Sequence, residues 1–320
     1  MALLVTGAMG HVGLEVVKQA LGAGDAVVAQ YRTTFRADDV QGLTGSVTWV
    51  ACDLADQKAV DALAAAHSID SCIHCAAVSN EKYARPRPLP TIQTNIGATA
   101  NLLDMARRQS WRRLLFVSTG SVFQTATDAT KPILEDAQPS ATNVYSTTKY
   151  CGELLTRMYR MQFDLSASVV RVSWVYGPPL VTDDPPRGPI PAFLKAVLKR
   201  QAIRLPSGAD FAASFTYVSD VAAGLLAAWR ARELRHDVYH LGSGINYTAR
   251  QVADAVRAAV PGAIIELGAG TEPWTIHTRM RGPLAGNRLE QDTGFVVTHS
   301  LERGVRAYAE WMGAHPEALQ

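Results

Sequence analysis

The chain opens on a short apolar run, Ala2-Leu3-Leu4-Val5, followed at once by a glycine-rich turn and then by apolar positions three and four apart. Short apolar runs and stretches of helical period go on alternating through the first 175 residues. The runs at 2–5, 26–30, 47–52, 72–75, 113–117 and 167–172 have strand length and are apolar at successive positions, as strands buried on both faces must be. Between them, 12–21, 58–67, 92–108 and 145–161 each carry one apolar stripe at helical spacing. This alternation predicts an α/β fold over residues 1–175: a parallel, doubly wound sheet with helices on both faces.

After Val175 the texture changes. Residues 177–191 read GPPLVTDDPPRGPIP, too rich in proline for a helix or a central strand. Helices are expected next at 192–200, 218–232 and 249–260, with a strand at 238–241. Residues 176–320 thus read as a smaller, mainly substrate-binding α/β portion, interleaved with the first.

Composition narrows the function. With 48% hydrophobic and 19% charged residues, the 320-residue chain is expected to build a sizeable core. A net charge of +2 and the lack of any Lys/Arg run argue against a nucleic-acid partner. No apolar stretch is long enough to span a bilayer, and no charged leader precedes a cleavage site, so a cytoplasmic enzyme is expected. Cys72 and Cys75, with Cys52 and Cys151 the only cysteines, have metal-ligand spacing. Strand alternation points the two to opposite faces and no second pair completes a site, so no metal is expected.

The candidate chemistry begins at Thr6-Gly7-Ala8-Met9-Gly10-His11-Val12-Gly13, a G-x-x-G-x-x-G between the first strand and the first helix. Glycines there let backbone N–H groups approach a pyrophosphate, and the helix N-terminus adds its positive end. Gly7, Met9, Gly10, His11, Val12 and Gly13 are therefore placed against a dinucleotide, with no chemical role for the His11 side chain. A carboxylate ending the second strand would hold an adenosine ribose. Tyr31-Arg32-Thr33-Thr34 stands there instead, and Arg32 suits a 2′-phosphate, which favours NADP over NAD. Asp53, with Leu54 beside it, follows the third strand and is placed at the adenine.

Tyr145 and Lys149 form Y-x-x-x-K at the start of a helix, four apart and so on one face. An ammonium near a phenol stabilises the phenolate and lowers its pKa, which suits Tyr145 to exchanging a proton with a substrate oxygen. Lys149 is also placed to hold the nicotinamide ribose. Upstream, residues 114–123 form a strand that ends in the hydroxyl-rich turn Ser118-Thr119-Gly120-Ser121.

Taken in order, TGAMGHVG, ACDLAD, IHCAA, TNIGATANLLDMA, FVSTGSVF, YSTTKYCGELL and VVRVSWVYGPP resemble the extended short-chain dehydrogenase/reductases over nearly the whole chain. That family includes nucleotide-sugar epimerases, dehydratases and keto-sugar reductases. The resemblance implies a Rossmann cofactor domain, with Thr119 as the catalytic hydroxyl, Ser121 in reserve, Tyr145 as acid/base and Lys149 as its partner. It further implies that Asn95 orders the site, that His74, Ala76 and Ala77 line the cofactor path, and that the protein is a homodimer paired through helices 92–108 and 145–161. Two positions depart from the nucleotide-binding pattern: Trp174 replaces the usual Asn, and Ala213 replaces the usual Arg. The segment 171–177 is instead partly similar to dTDP-4-dehydrorhamnose reductases, which pass hydride from NADPH to a keto-sugar.

The function expected first is therefore an NAD(P)-dependent oxidoreductase moving hydride to or from a sugar or sugar-like carbonyl or alcohol. A nucleotide-sugar epimerase or dehydratase, recycling its cofactor within each turnover, is the alternative. A non-catalytic, cofactor-binding regulatory protein is a third, opposed by Thr119, Tyr145 and Lys149. Substrate contacts are expected from Ser79, Ser121, Trp174 and Arg187, the last in a 177–191 loop that is expected to be mobile without substrate.

Overall fold

A computed structural model describes residues 1–319. The first half runs β1 (Ala2–Thr6), α1 (His11–Gly22), β2 (Val27–Tyr31), β3 (Val47–Ala51), α2 (Gln57–Ala66), β4 (Ile69–His74), α3 (Glu81–Ala84), α4 (Pro88–Ile92), α5 (Ala98–Arg108), β5 (Arg113–Thr119), α6 (Val144–Phe163) and β6 (Ala167–Val172). The second half runs β7 (Trp174–Tyr176), α7 (Pro189–Leu198), β8 (Ile203–Leu205), β9 (Ala212–Ala213), β10 (Phe215–Tyr217), α8 (Val218–Arg230), β11 (Val238–Leu241), β12 (Tyr247–Thr248), α9 (Ala249–Ala259), β13 (Ile265–Leu267), α10 (Arg288–Thr293) and α11 (Leu301–Ala314).

Seven strands form one parallel sheet in the order β11-β6-β5-β4-β1-β2-β3. Alternation along each strand feeds two cores. Leu3 and Val5 of β1 pack with Val16, Val17 and Ala20 of α1 and with Val221 and Leu225 of α8. Leu4, between them, joins Leu63 of α2 and Leu102 and Leu103 of α5 on the other face. Each fully buried aliphatic side chain contributes about 1.5–3 kcal/mol, so these two layers fix the sheet between its helices. The first helix buries Gly13, Leu14, Val16, Val17, Ala20 and Leu21, the stripe its spacing predicts.

The sheet is completed by residues beyond Val175: β11 adds in parallel to the free edge of β6. A third core gathers α7, α9 and α11 around Phe193, Phe211, Phe215, Val252 and Tyr308. Its strands pair only as β7 with β10, β9 with β12 and β8 with β13, each two or three residues long. Pieces that short show no period in the sequence, and they are absent from its pattern.

The helix expected over 92–108 is divided. Between α4 and α5 lies a π-helical turn, Gln93–Gly97, and Asn95 sits on it. Such turns shift the register of side chains by one position and collect at functional sites. Beneath the carboxyl ends of the strands, Arg171 of β6 and Glu153 of α6 form a buried ion pair at 2.7 Å. Ser118 of β5 donates to the same carboxylate at 2.5 Å. Removing one partner of such a pair costs about 3–5 kcal/mol, because the other charge is left buried and unmatched.

Candidate active site

Parallel strands put all their carboxyl ends on one edge, and the order of the sheet reverses between β1 and β4. A cleft of about 480 Å³ opens there, where open α/β sheets bind their ligands. Loops after β1, β4, β5 and β6 form one wall; Pro186, Arg187 and the segment from His277 to Arg281 form the other.

Gly7 adopts φ +62°, and a Cβ on it would lie 2.8 Å from Ala76 Cα. A Cβ on Gly13 would lie 2.3 Å from Gly7 O. Neither position accepts a side chain, and the loop folds tightly against the first turn of α1. No acidic residue occupies that turn, so the positive end of α1 is left for an anion. Met9, Gly10, His11 and Val12 line the cleft as expected. The His11 ring bonds to Gly177 O at 2.8 Å. Burial, helped by Arg187, lowers its pKa to about 4, so its neutral ring only pins the loop after β7.

At the far end of the loop, Gln30 is buried and joins Gly7 N at 2.9 Å to Cys52 O at 2.6 Å. No carboxylate replaces it at the end of β2. Tyr31, Arg32, Thr33, Thr34 and Arg36 line the cleft there, and Arg36 also donates to Met9 O.

Four expected contacts are not on the cleft wall. Asp53 turns back to accept from Ala55 N at 3.0 Å, and Leu54 is buried in the core under α2. His74 bridges Thr6 at 2.7 Å and Thr99 at 3.1 Å from inside the sheet, because its place on β4 points it into the α5 layer. Burial lowers its pKa to about 3, so it is a neutral structural link. Asn95 is 2% exposed and acts from behind: it accepts from Val78 N at 2.8 Å and donates to Thr148 at 3.0 Å. Ala76, Ala77, Ser79, Ser121, Trp174 and Arg187 do line the cleft.

Thr119, Tyr145 and Lys149 all line the cleft, and the Thr119 hydroxyl is hydrogen-bonded to Tyr145. Asn143 caps α6 in a reciprocal capping box with Ser146, and Glu81 accepts from Tyr145 N at 2.9 Å, so the first turn is held from two sides. The expected lowering of the Tyr145 pKa by Lys149 is not found. Burial raises the phenol above its ordinary value, and the Thr119 hydroxyl, Arg187 and Arg281 pull it back. Lys149 Nζ lies 4.1 Å from the centre of the Phe116 ring. Burial lowers the Lys149 pKa to about 8, against Cys75 and Glu153. Cys75 itself is a free thiol pushed up to about 12 by burial.

The opposite wall holds what the sequence pattern does not reveal. Arg281 reaches Ser121 Oγ at 3.4 Å from a segment without regular structure. Arg279 lies near Trp174 and Ala213 in a shallow dip with no room for a ligand. The proline-rich loop is tied across the mouth: Asp184 accepts from Lys82 at 2.5 Å and from Tyr83 at 2.9 Å, and Arg187 donates to Ser79 at 3.2 Å.

A doubly wound sheet with a glycine loop at its reversal point and a Thr-Tyr-Lys group at the neighbouring strand end defines a dinucleotide-dependent enzyme of the short-chain dehydrogenase type. The model of the NAD dependent epimerase/dehydratase family matches residues 3–242, and the chain belongs to that family. It is similar to the UDP-glucuronate 4-epimerase of Thermodesulfobacterium geofontis, 28% identical over 76% of this chain and 75% of that one. It is also similar to the UDP-glucose 4-epimerase of Streptomyces lividans, 29% identical over 98% and 97%. The fold is shared with the crystal structure of the Thermus thermophilus UDP-glucose 4-epimerase in complex with NAD, with a TM-score of 0.84, 24% identity and coverage of 97% and 98%.

Proposed function

We propose that this protein is a nucleotide-sugar epimerase or dehydratase that takes hydride from a sugar carbinol carbon and returns it to the same sugar within one turnover, to the carbonyl in an epimerase and to the carbon that has lost water in a dehydratase. The observation that carries this is the opening of Thr119, Tyr145 and Lys149 into the same cleft as the Gly7–Gly13 loop. The cradle left by the two glycines and the uncapped end of α1 fit the pyrophosphate of a nicotinamide dinucleotide. When bound, that group supplies the hydride acceptor and donor. Tyr145 takes the proton of the reacting hydroxyl and, in an epimerase, returns it to the same oxygen; Thr119 and Ser121 hold that oxygen throughout. Lys149 holds the nicotinamide ribose and supplies positive charge beside Tyr145 when the cofactor orders it.

Similarity to epimerases favours this function over the net hydride transfer to or from a sugar-like substrate expected first. Trp174 and Ala213 lack the phosphate contacts of the usual Asn and Arg, and Arg279 is a cation near them. At the adenosine end, Arg32, with no carboxylate among the lining residues beside it, favours NADP, although Arg36 is already paired with Asp39 and the Thermus relative is a complex with NAD. Exposed Leu89 and Ile92 on α4, and Leu154, Met161 and Phe163 on α6, support a homodimer through this surface.

The test is to incubate the enzyme with UDP-glucose, UDP-glucuronate or dTDP-glucose and separate the products while following reduced-nicotinamide absorbance. Product with an unchanged signal is expected. Stoichiometric accumulation or depletion of reduced cofactor would identify a dehydrogenase or reductase instead.

A further inference from the structure

Among the described residues three arginines are buried: Arg113, Arg171 and Arg281. Arg171 is paired with Glu153, and Arg113 donates to the carbonyls of Ala228, Trp229 and Ala231. Arg281, 7% exposed, has no such match. Its Nη2 donates to Ser121 Oγ at 3.4 Å and Thr278 Oγ1 at 3.0 Å. Its Nε is shut off from solvent without a partner. No carboxylate stands among the groups acting on it; burial weakens its charge, and Tyr145 is the one neighbour that supports it.

A buried cation with an unused donor is unfavourable unless an anion arrives to match it. Its place says which anion. Ser121 belongs to the hydroxyl turn after β5, and the charge of Arg281 acts on Tyr145, so Arg281 faces the reacting oxygen. A diphosphate is attached to the anomeric carbon and so lies farther along the substrate, away from the reacting oxygen. A planar fork of N–H groups matches a carboxylate in two bonds.

We propose that the substrate is a sugar acid, and that Arg281 grips a carboxylate carried on the carbon next to the one oxidised. This inference rests on the sugar-oxidising function proposed above. It makes Arg281 a specificity-determining residue: a neutral sugar leaves the guanidinium unmatched, and a uronate satisfies it.

The test uses cofactor-loaded enzyme with UDP-glucuronate and UDP-glucose, in wild type, Arg281→Met and Arg281→Lys. Wild type is expected to show a KM for UDP-glucuronate at least about tenfold below that for UDP-glucose. Arg281→Met is expected to raise the first by about thirtyfold or more and the second by less than about threefold, with Arg281→Lys between. Unchanged cofactor affinity and a cooperative melting transition no lower than that of wild type would show that the variants fold. Equal losses for both substrates would assign Arg281 to the shared diphosphate and overturn the proposal, as would a wild-type preference for UDP-glucose. If neither is turned over, thermal shifts with glucuronate alone and with UDP alone decide. Stabilisation by glucuronate that is lost in Arg281→Met keeps the carboxylate site and removes the nucleotide. Stabilisation by UDP alone keeps the nucleotide and overturns the carboxylate site, and stabilisation by neither overturns both.

Discussion

The side-chain amide of Asn95 donates to Thr148 Oγ1 at 3.0 Å, one residue before Lys149 in the first turns of α6. The same side chain accepts from Val78 N at 2.8 Å. One residue thus holds the loop after β4 and the helix bearing Tyr145 in fixed relation. Asn95→Ala is expected to lower kcat about ten- to a hundredfold while leaving cofactor KM nearly unchanged, and to cost about 1–3 kcal/mol of stability. Steady-state kinetics beside urea unfolding checks both; a kcat within twofold of wild type would reduce Asn95 to a packing role.

Tyr145→Phe keeps the ring and removes the proton carrier. We expect kcat to fall by at least about a thousandfold, with cofactor affinity and melting temperature preserved. Near-normal turnover would exclude Tyr145 as the acid/base and shift attention to Thr119.

Replacing Tyr31 with Asp and Arg32 with Ala exchanges attraction for a 2′-phosphate for repulsion. The ratio of NADP to NAD affinity is expected to drop by about a hundredfold, read by fluorescence titration of both cofactors. A wild-type protein that binds NAD the more tightly would show that Arg32 and Arg36 do not read the phosphate.

The depressed pKa of Lys149 makes stability depend on pH in a defined window. Below pH 8 the folded protein carries a buried ammonium at a cost. Between pH 8 and the ordinary lysine value of 10.5, the folded form has released its proton and the unfolded chain has not, so folding is favoured as pH rises. Compared with Lys149→Met, cofactor-free wild type is expected to gain about 2 kcal/mol between pH 7 and pH 10. Denaturant unfolding of both proteins at the two pH values measures it; a difference independent of pH would mean that Lys149 is solvated.

Leu154 and Met161, exposed by 45% and 68%, stand on the outer face of α6. Changing both to Glu is expected to convert a dimer to monomer in light scattering at micromolar concentration, with the fold retained. A wild-type monomer at that concentration would remove the proposed interface.

The parts of the site written in local geometry are readable from the sequence. Gly7 needs its positive φ and Gly13 its missing Cβ wherever the loop is folded, and the four-residue spacing of Tyr145 and Lys149 needs only a helix. Strand alternation alone separates Leu3 and Val5 from Leu4. What depends on several segments at once is hidden. Arg281 comes from an irregular stretch with no period to place it, and its importance lies in partners it lacks. Asn95 looks like one more position on a long helix; the π turn that aims it is not encoded in apolar spacing. His74 and Asp53 occupy the expected strand ends, yet alternation carries the first inward and a local turn captures the second.

The parallel pairing of β11 with β6 has a consequence for how the chain is made. Until Val238–Leu241 has emerged from the ribosome, the outer edge of β6 offers a row of unpaired backbone groups flanked by Val169 and Val170. An open edge of that kind recruits other chains. A gene fragment ending soon after Val175 is therefore expected to stick to its own copies along β6, and a fragment ending after Leu241 is the shortest that contains all seven strands of the sheet.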